Sequence, residues 1–196
     1  MAKLTFKKYL SAFNSVRGLL ASVGVLVPGF TYFTKYGPPF GEIALLTAAF
    51  ATATMFIAYY YTPSQSNGAT QKLPPLIKTA LKVLIISVVL LILYLMLIDL
   101  CTVQIPGINK RVQIGFDKFD WSLTEYGKQV KAKNPVALPQ DWLSDESFKS
   151  GVAKLFWQTW SIYLAGVLMI VVFIFAFVLW AFGWSLIAKQ KAIDSI

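Results

Sequence analysis

The sequence predicts an all-α polytopic membrane protein with four transmembrane helices, an N-terminal amphipathic helix and a small α+β polar insert between helices 3 and 4. Of its 196 residues, 57% are hydrophobic and only 14% are charged, whereas a soluble domain carries about a quarter charged residues. Charge-free stretches alternate with compact charged patches, and the longest stretch, 155–188, has no charged residue. This pattern excludes a disordered chain, a disulfide-stapled secreted domain and a conventional nucleic-acid-binding domain.

The residue types that most enzyme centres need are scarce. The chain has no histidine, which excludes a Ser-His-Asp or Cys-His centre and any histidine-based zinc site. Cys101 is the single cysteine, so the sequence holds neither an intrachain disulfide nor a thiolate metal cluster. A Gly-rich phosphate loop is also missing. The sequence therefore predicts a protein that is not an enzyme and needs no cofactor.

The first 17 residues are basic and partly amphipathic. Phe6, Leu10 and Phe13 recur at helical spacing while the lysines occupy other faces. This predicts a helix lying in the inner headgroup layer; the alternative is a frayed cytoplasmic start that only helps to set the topology. The basic residues assigned to lipid headgroups are Lys3, Lys7, Lys8 and Arg17.

Two shorter apolar spans follow. Residues 18–34 form the weaker one, at 17 residues against the roughly 20 that a bilayer core needs, and a secretory signal peptide is its competing interpretation. Residues 43–61 are rich in alanine and threonine. Their small residues at four-residue spacing, such as Ala49 and Ala53, would let a neighbouring helix approach closely. The span ends in three predicted headgroup-layer anchors: Tyr59, Tyr60 and Tyr61.

Two longer apolar spans complete the set. The third covers about 83–103 and the fourth covers 155–188. Trp160 and Trp180 are twenty residues apart, which is about 30 Å of helix and matches the bilayer core. We therefore predict two interfacial belts on the fourth span, formed by Trp157 and Trp160 at one end and Trp180 and Trp184 at the other.

The net charge of +9 falls mostly beside these spans. The short segments 1–17 and 62–82 and the tail after Lys189 are basic, which predicts a multi-pass protein of the cell membrane with both termini in the cytoplasm. We expect membrane lipids as partners and no nucleic-acid partner. The insert then lies outside the cytoplasm, although it contains more basic than acidic residues, which conflicts with the same charge rule. The predicted domains are the N-terminal segment 1–17, the three spans in 18–103, the insert 104–150, and the fourth span with its cytoplasmic tail in 151–196.

The polar insert is the one segment whose sequence predicts folded structure other than membrane-embedded helices. Two alternating runs around Val103 and Val112 predict a β-hairpin, and the run from Ser122 to Glu125 matches a capping box that opens a helix through about Lys133. Its aromatic residues form either a core or a partner surface, and its lysines either bind an anion or are a solvated face. The candidate partner or ligand residues are Phe116, Trp121, Lys128, Lys131, Lys133 and Trp142.

Asp99 is a carboxylate inside an otherwise apolar run. Such a residue is costly in a bilayer and is by default a functional-site hypothesis. One hypothesis is that copies of Asp99 line the mouth of a cation pathway in an oligomer; the other is that Asp99 merely sits in the headgroup layer.

These features favour two functions. The first is a channel, pore or membrane-disrupting effector formed by homo-oligomeric assembly, because the chain offers spans, packing faces and an insert but no catalytic group. The second is a non-catalytic anchor or accessory subunit that assembles with a partner membrane subunit in a larger complex.

Overall fold

The structure, a computed structural model, describes residues 42–61, 75–104, 111–143 and 153–194. The predicted amphipathic segment, with Lys3, Lys7, Lys8 and Arg17, and the first predicted span lie outside the described residues. Within them the chain is mostly helical, with one small two-stranded sheet. The element bounds are α1 Glu42–Tyr61, α2 Pro75–Cys101, β1 Thr102–Gln104, β2 Arg111–Gln113, α3 Glu125–Lys133, α4 Pro139–Leu143, α5 Ala153–Phe156 and α6 Thr159–Asp194.

Two of these helices are long and apolar enough to cross a membrane: Leu76–Cys101 within α2 and Thr159–Ala192 within α6. They correspond to the third and fourth predicted spans. The second predicted span coincides with α1, a helix of 20 residues, and the count of four spans stays a prediction. The α2 helix begins earlier than predicted because Pro75 occupies its first position, where a proline has no helical N–H bond to lose.

The chain divides into two compact units. One comprises the described residues up to Ile92 together with those from Val172 onward, and the other is Leu93–Val171. In the first unit, α2 and α6 pack antiparallel through small residues. A Cβ atom on Gly183 would lie 2.7 Å from Cγ of Leu84, and the buried Ser87 hydroxyl donates to the Ala176 carbonyl at 2.7 Å. Small residues and such hydroxyls are what allow helices to associate closely in lipid.

The second unit contains the insert. Its predicted hairpin is confirmed: β1 pairs antiparallel with β2, with Val103 opposite Val112. The predicted helix through Lys133 is confirmed as α3, but its capping residue is Thr124 rather than Ser122. The Thr124 hydroxyl accepts from the Gly127 amide at 3.1 Å, whereas the Ser122 hydroxyl bonds to that of Ser161 at 2.9 Å.

The fourth predicted span starts later than the sequence indicates. Residues 153–156 form the short helix α5, and Trp157 then makes an antiparallel bridge with Leu123 before α6 begins at Thr159. The hydrophobic core of the insert therefore contains the first residues of the apolar run. This core consists of Ile114, Leu123, Leu143, Phe156 and Trp157.

The packing of α3 on α5 leads to a prediction for Gly127. An alanine in a helix interior normally stabilises it by up to about 1 kcal/mol relative to glycine. Here a Cβ atom would collide with the carbonyl group of Phe156 and lie 3.2 Å from its Cα atom. Gly127→Ala should therefore lower the free energy of unfolding by about 1–3 kcal/mol. Thermal unfolding in detergent, followed by tryptophan fluorescence, measures this change.

The matched control is Gln129→Ala, an exposed position on the same helix, which should change the free energy of unfolding by no more than about 0.5 kcal/mol. A Gly127→Ala variant as stable as this control would contradict the close contact between α3 and α5.

Candidate functional site

The insert is joined by hydrogen bonds to the ends of both flanking helices. At the end of α2, the Leu100 and Cys101 carbonyls accept from the amides of Asp117, at 3.3 Å, and Ile114, at 2.9 Å. The Thr102 hydroxyl donates to the Ile98 carbonyl at 2.7 Å. The last carbonyls of a helix have no partner inside the helix. The insert therefore supplies donors to the end of α2.

The start of α6 is held in the same way. The Gln158 amide donates to the Ser122 carbonyl at 2.8 Å, and the Gln158 side chain donates to the Leu123 carbonyl at 3.3 Å. From β2, the Gln113 side chain donates to the Ile162 carbonyl at 2.6 Å and lies against Gly166, whose missing Cβ leaves room for the amide group. These bonds fix the insert on the first two turns of α6.

Aromatic residues of this unit form two groups with different exposure. Trp142, Phe156 and Trp157 lie in or against the core, with ring centroids 5.7–6.0 Å apart. Phe116, Phe119, Trp121 and Trp160 form a second group, which we call the aromatic surface, in which Trp121 stacks on Trp160 at 5.4 Å. Within this surface the Phe116 ring is buried, and the other three rings are exposed.

The structure separates tryptophans that the sequence grouped together. Trp157, predicted as an interfacial anchor, is fully buried in the insert core, because its bridge with Leu123 turns the ring inward. Trp142, predicted as a partner residue, packs against the same core. At the other end, Trp180 and Trp184 are half-buried, with rings 6.0 Å apart. The side chains of the three predicted anchors Tyr59, Tyr60 and Tyr61 lie outside the described part of the structure.

Two of the three candidate lysines of the insert form ion pairs with acidic residues of the insert itself. Lys128 forms an ion pair with Glu125 at 2.7 Å, and Lys131 forms one with Asp120 at 2.7 Å. Lys133 is exposed in the last turn of α3, where a cation interacts favourably with the helix dipole. These contacts fit a solvated helix face better than an anion site.

Asp99 is exposed in the last turn of α2. A carboxylate at a helix C-terminus faces the negative end of the dipole, which disfavours it by a few tenths of a kcal/mol up to about 1 kcal/mol. Among the described residues no ion pair offsets this cost. Helix stability therefore does not account for an acid at this position.

A lysine that the sequence places in a cytoplasmic tail is buried. The α6 helix continues past residue 188 to Asp194, and Lys189, only 3% exposed, donates to the Ala58 carbonyl at 3.4 Å. Ala58 belongs to the last four residues of α1, whose carbonyls lack helical partners. Lys189 thus supplies a cation and a donor to the end of α1.

Metal binding has no candidate in the described part of the chain, where no group of three or more histidine, cysteine or acidic residues comes together. No protein-family model, curated protein or solved structure matches the chain. The described residues define a helical protein with two helices long and apolar enough to cross a membrane and a folded insert hydrogen-bonded to the ends of both.

The contact of Lys189 with α1 predicts that the protein loses stability when the Lys189 side chain is removed. Lys189→Ala removes a buried donor and leaves the Ala58 carbonyl without it, which should cost about 1–3 kcal/mol. Lys191→Ala is the matched control, because Lys191 lies two residues further along the same helix and is exposed. Thermal unfolding of the detergent-solubilised protein compares the two, and equal midpoints would contradict a stabilising role for Lys189.

Two neighbouring acidic residues of the insert, Asp117 and Asp120, should contribute to folding stability with opposite dependence on pH. Burial raises the pKa of Asp117 above its ordinary value, against the opposing attraction of Lys131 and Lys118. The hydrogen bond from Lys131 lowers the pKa of Asp120. The folded state thus holds a proton on Asp117 more tightly than the unfolded state, so this residue reduces stability as the pH rises above about 4. Asp120 contributes stability that is present above about pH 4 and is lost as the pH falls through its lowered pKa.

Asp117→Asn should therefore raise the midpoint of thermal unfolding at neutral pH, with a difference that shrinks below about pH 4. Asp120→Asn should slightly lower it at neutral pH. Midpoints measured across this range check both signs, and a pH-independent difference for Asp117→Asn would contradict the assignment.

Proposed function

We propose that this chain is a multi-pass protein of the cell membrane that acts without catalysis, by assembling with copies of itself into a channel, a pore or a membrane-disrupting effector. The observation that carries the proposal is the uncovered apolar surface of α2. One stripe of this helix is buried, at Ala80, Ser87, Tyr94 and Cys101, and the remaining faces expose leucine, isoleucine, valine and methionine side chains.

The size of this surface supports a membrane location. Nine large apolar side chains of α2 are 40–65% exposed, and fully burying one such side chain contributes about 1.5–3 kcal/mol. Leaving all nine in water would cost on the order of 10 kcal/mol. An uncovered apolar surface of this extent marks a protein or membrane interface. Lipid, other copies of the chain, or both would cover it.

The α1 helix supports assembly between copies. Ala49 and Ala53 are exposed at four-residue spacing, which permits close approach of a second helix. The hydroxyls of Thr52 and Thr54 donate to the Ala48 and Phe50 carbonyls at 2.8 Å. Their polar hydrogens are thus used within the helix, which suits an apolar environment.

In the proposed assembly, Asp99 carries the cation preference. Its exposure, its place at the end of an apolar helix and the unfavourable dipole there support a role outside the single chain. Copies of one carboxylate around a mouth raise the local concentration of cations.

The first test is the mass of the particle purified in detergent. A discrete multiple of 21.8 kDa by native mass spectrometry supports homo-oligomeric assembly, and ion flux through vesicles reconstituted with the same particle supports a pore. A monomer without flux would contradict the proposal, and co-purification of a second membrane polypeptide would favour the accessory-subunit alternative.

The second test addresses Asp99. Asp99→Asn keeps the side-chain shape and removes the charge, so it should reduce the preference for cations over anions, measured as a reversal potential across a salt gradient, without changing the particle mass. Glu125→Gln is the control, since Glu125 is an exposed acid on α3. An unchanged reversal potential for Asp99→Asn would reject the role of Asp99.

A further inference from the structure

The rings of the aromatic surface pack against one another although three of them are exposed. Phe119, Trp121 and Trp160 are 45%, 47% and 51% exposed. Phe119 stacks on Trp121 at 5.5 Å, Trp121 stacks on Trp160 at 5.4 Å, and the buried Phe116 lies behind them. The surface therefore joins three rings of the insert, two of them exposed, to one exposed ring of α6.

Hydrogen bonds fix the orientation of the Trp160 ring. Its indole N–H donates to the Gln158 side chain at 2.6 Å, and that side chain donates in turn to the Leu123 carbonyl at 3.3 Å. The polar edge of Trp160 is thus satisfied by the protein, and its ring remains at the surface. A preformed group of large rings that stays uncovered costs free energy in water.

The aromatic surface is continuous with an exposed apolar stripe on α6. Tyr163, Val167 and Val171 follow Trp160 at steps of three, four and four residues, so they lie on the same face of the helix, and all are exposed. Trp160 is the second residue of the membrane-length window Thr159–Ala192. The aromatic surface therefore lies where this apolar face begins.

We propose that the aromatic surface is a lipid-binding face, by which the insert rests on the headgroup layer of the bilayer that α6 crosses. Tryptophan, here Trp121 and Trp160, is enriched in this layer, and the exposed Lys118 next to Phe119 can extend its ammonium group to lipid phosphates. The continuity of the surface with the α6 stripe favours lipid over a protein partner. This inference rests on the proposed membrane insertion, and its test distinguishes a failure of the lipid-binding face from a failure of membrane insertion.

The test places a nitroxide label at four positions in turn, in the full chain with Cys101→Ala and reconstituted in phosphatidylcholine vesicles. Phe119→Cys probes the aromatic surface, Val167→Cys probes the α6 stripe (55% exposed), and Val136→Cys probes the turn after α3 (91% exposed). Collisions with oxygen report the bilayer, and collisions with a water-soluble nickel chelate report water. Lys118→Cys is a second probe of the same region that keeps every aromatic ring.

We expect the labels at 119 and 118 to be several-fold less accessible to the nickel chelate than the label at 136, while remaining accessible to oxygen. Nickel access at 119 equal to that at 136, with 167 protected, would overturn the lipid-binding face and leave membrane insertion intact. Low access to both reagents at 119, with spin–spin broadening, would assign the surface to a second copy and also overturn it. Nickel access at 167 would overturn the membrane insertion itself.

Discussion

Main-chain groups at the ends of an apolar helix need hydrogen-bond partners, and this constraint governs the described parts of the chain. The last carbonyls of α2 accept from amides of the insert, Gln158 before α6 donates to the Ser122 and Leu123 carbonyls, and the Ile162 carbonyl of α6 accepts from Gln113. The end of α1 receives the Lys189 side chain. At the ends of α1 and α2, carbonyls that the helix leaves without a partner are thus met by specific donors. The proposed membrane environment makes this requirement stricter, because lipid offers no substitute for water.

The same constraint explains why so small an insert is ordered. About fifty residues bury little core by themselves, and the core here is a few residues around Trp157. Its remaining support comes from bonds to the helices on either side. The insert is therefore stable as an extension of α2 and α6, and a change at either helix end also acts on the insert.

Sequence patterns were sufficient where the signal is local. The alternation around Val103 and Val112 predicted the hairpin, and the run up to Lys133 predicted α3. Apolar length likewise predicted α2 and α6 as membrane-length helices. Each of these follows from neighbouring residues along the chain.

Sequence patterns failed where a partner lies far along the chain. Trp157 and Trp160 lie three residues apart in one charge-free run, yet Trp157 forms a bridge with Leu123 and is buried in the core, whereas Trp160 stacks on Trp121 and is exposed. Lys189 has the sequence context of a cytoplasmic tail, but its acceptor is 131 residues away. The choice of Thr124 over Ser122 as helix cap depends on Ser161 in the same way.

The bridge between Leu123 and Trp157 also makes the intervening chain a closed loop. Its two ends are held beside the start of α6, where Leu123 and Gln158 are hydrogen-bonded although they are 35 positions apart in the sequence. Because the entropy of closing a loop grows only with the logarithm of its length, doubling this one costs about 0.6 kcal/mol. The exposed turn at Val136 is thus a place where an epitope or a protease site can be inserted without moving either helix. Under the proposed membrane location, such an insertion would report on which side of the membrane the insert lies.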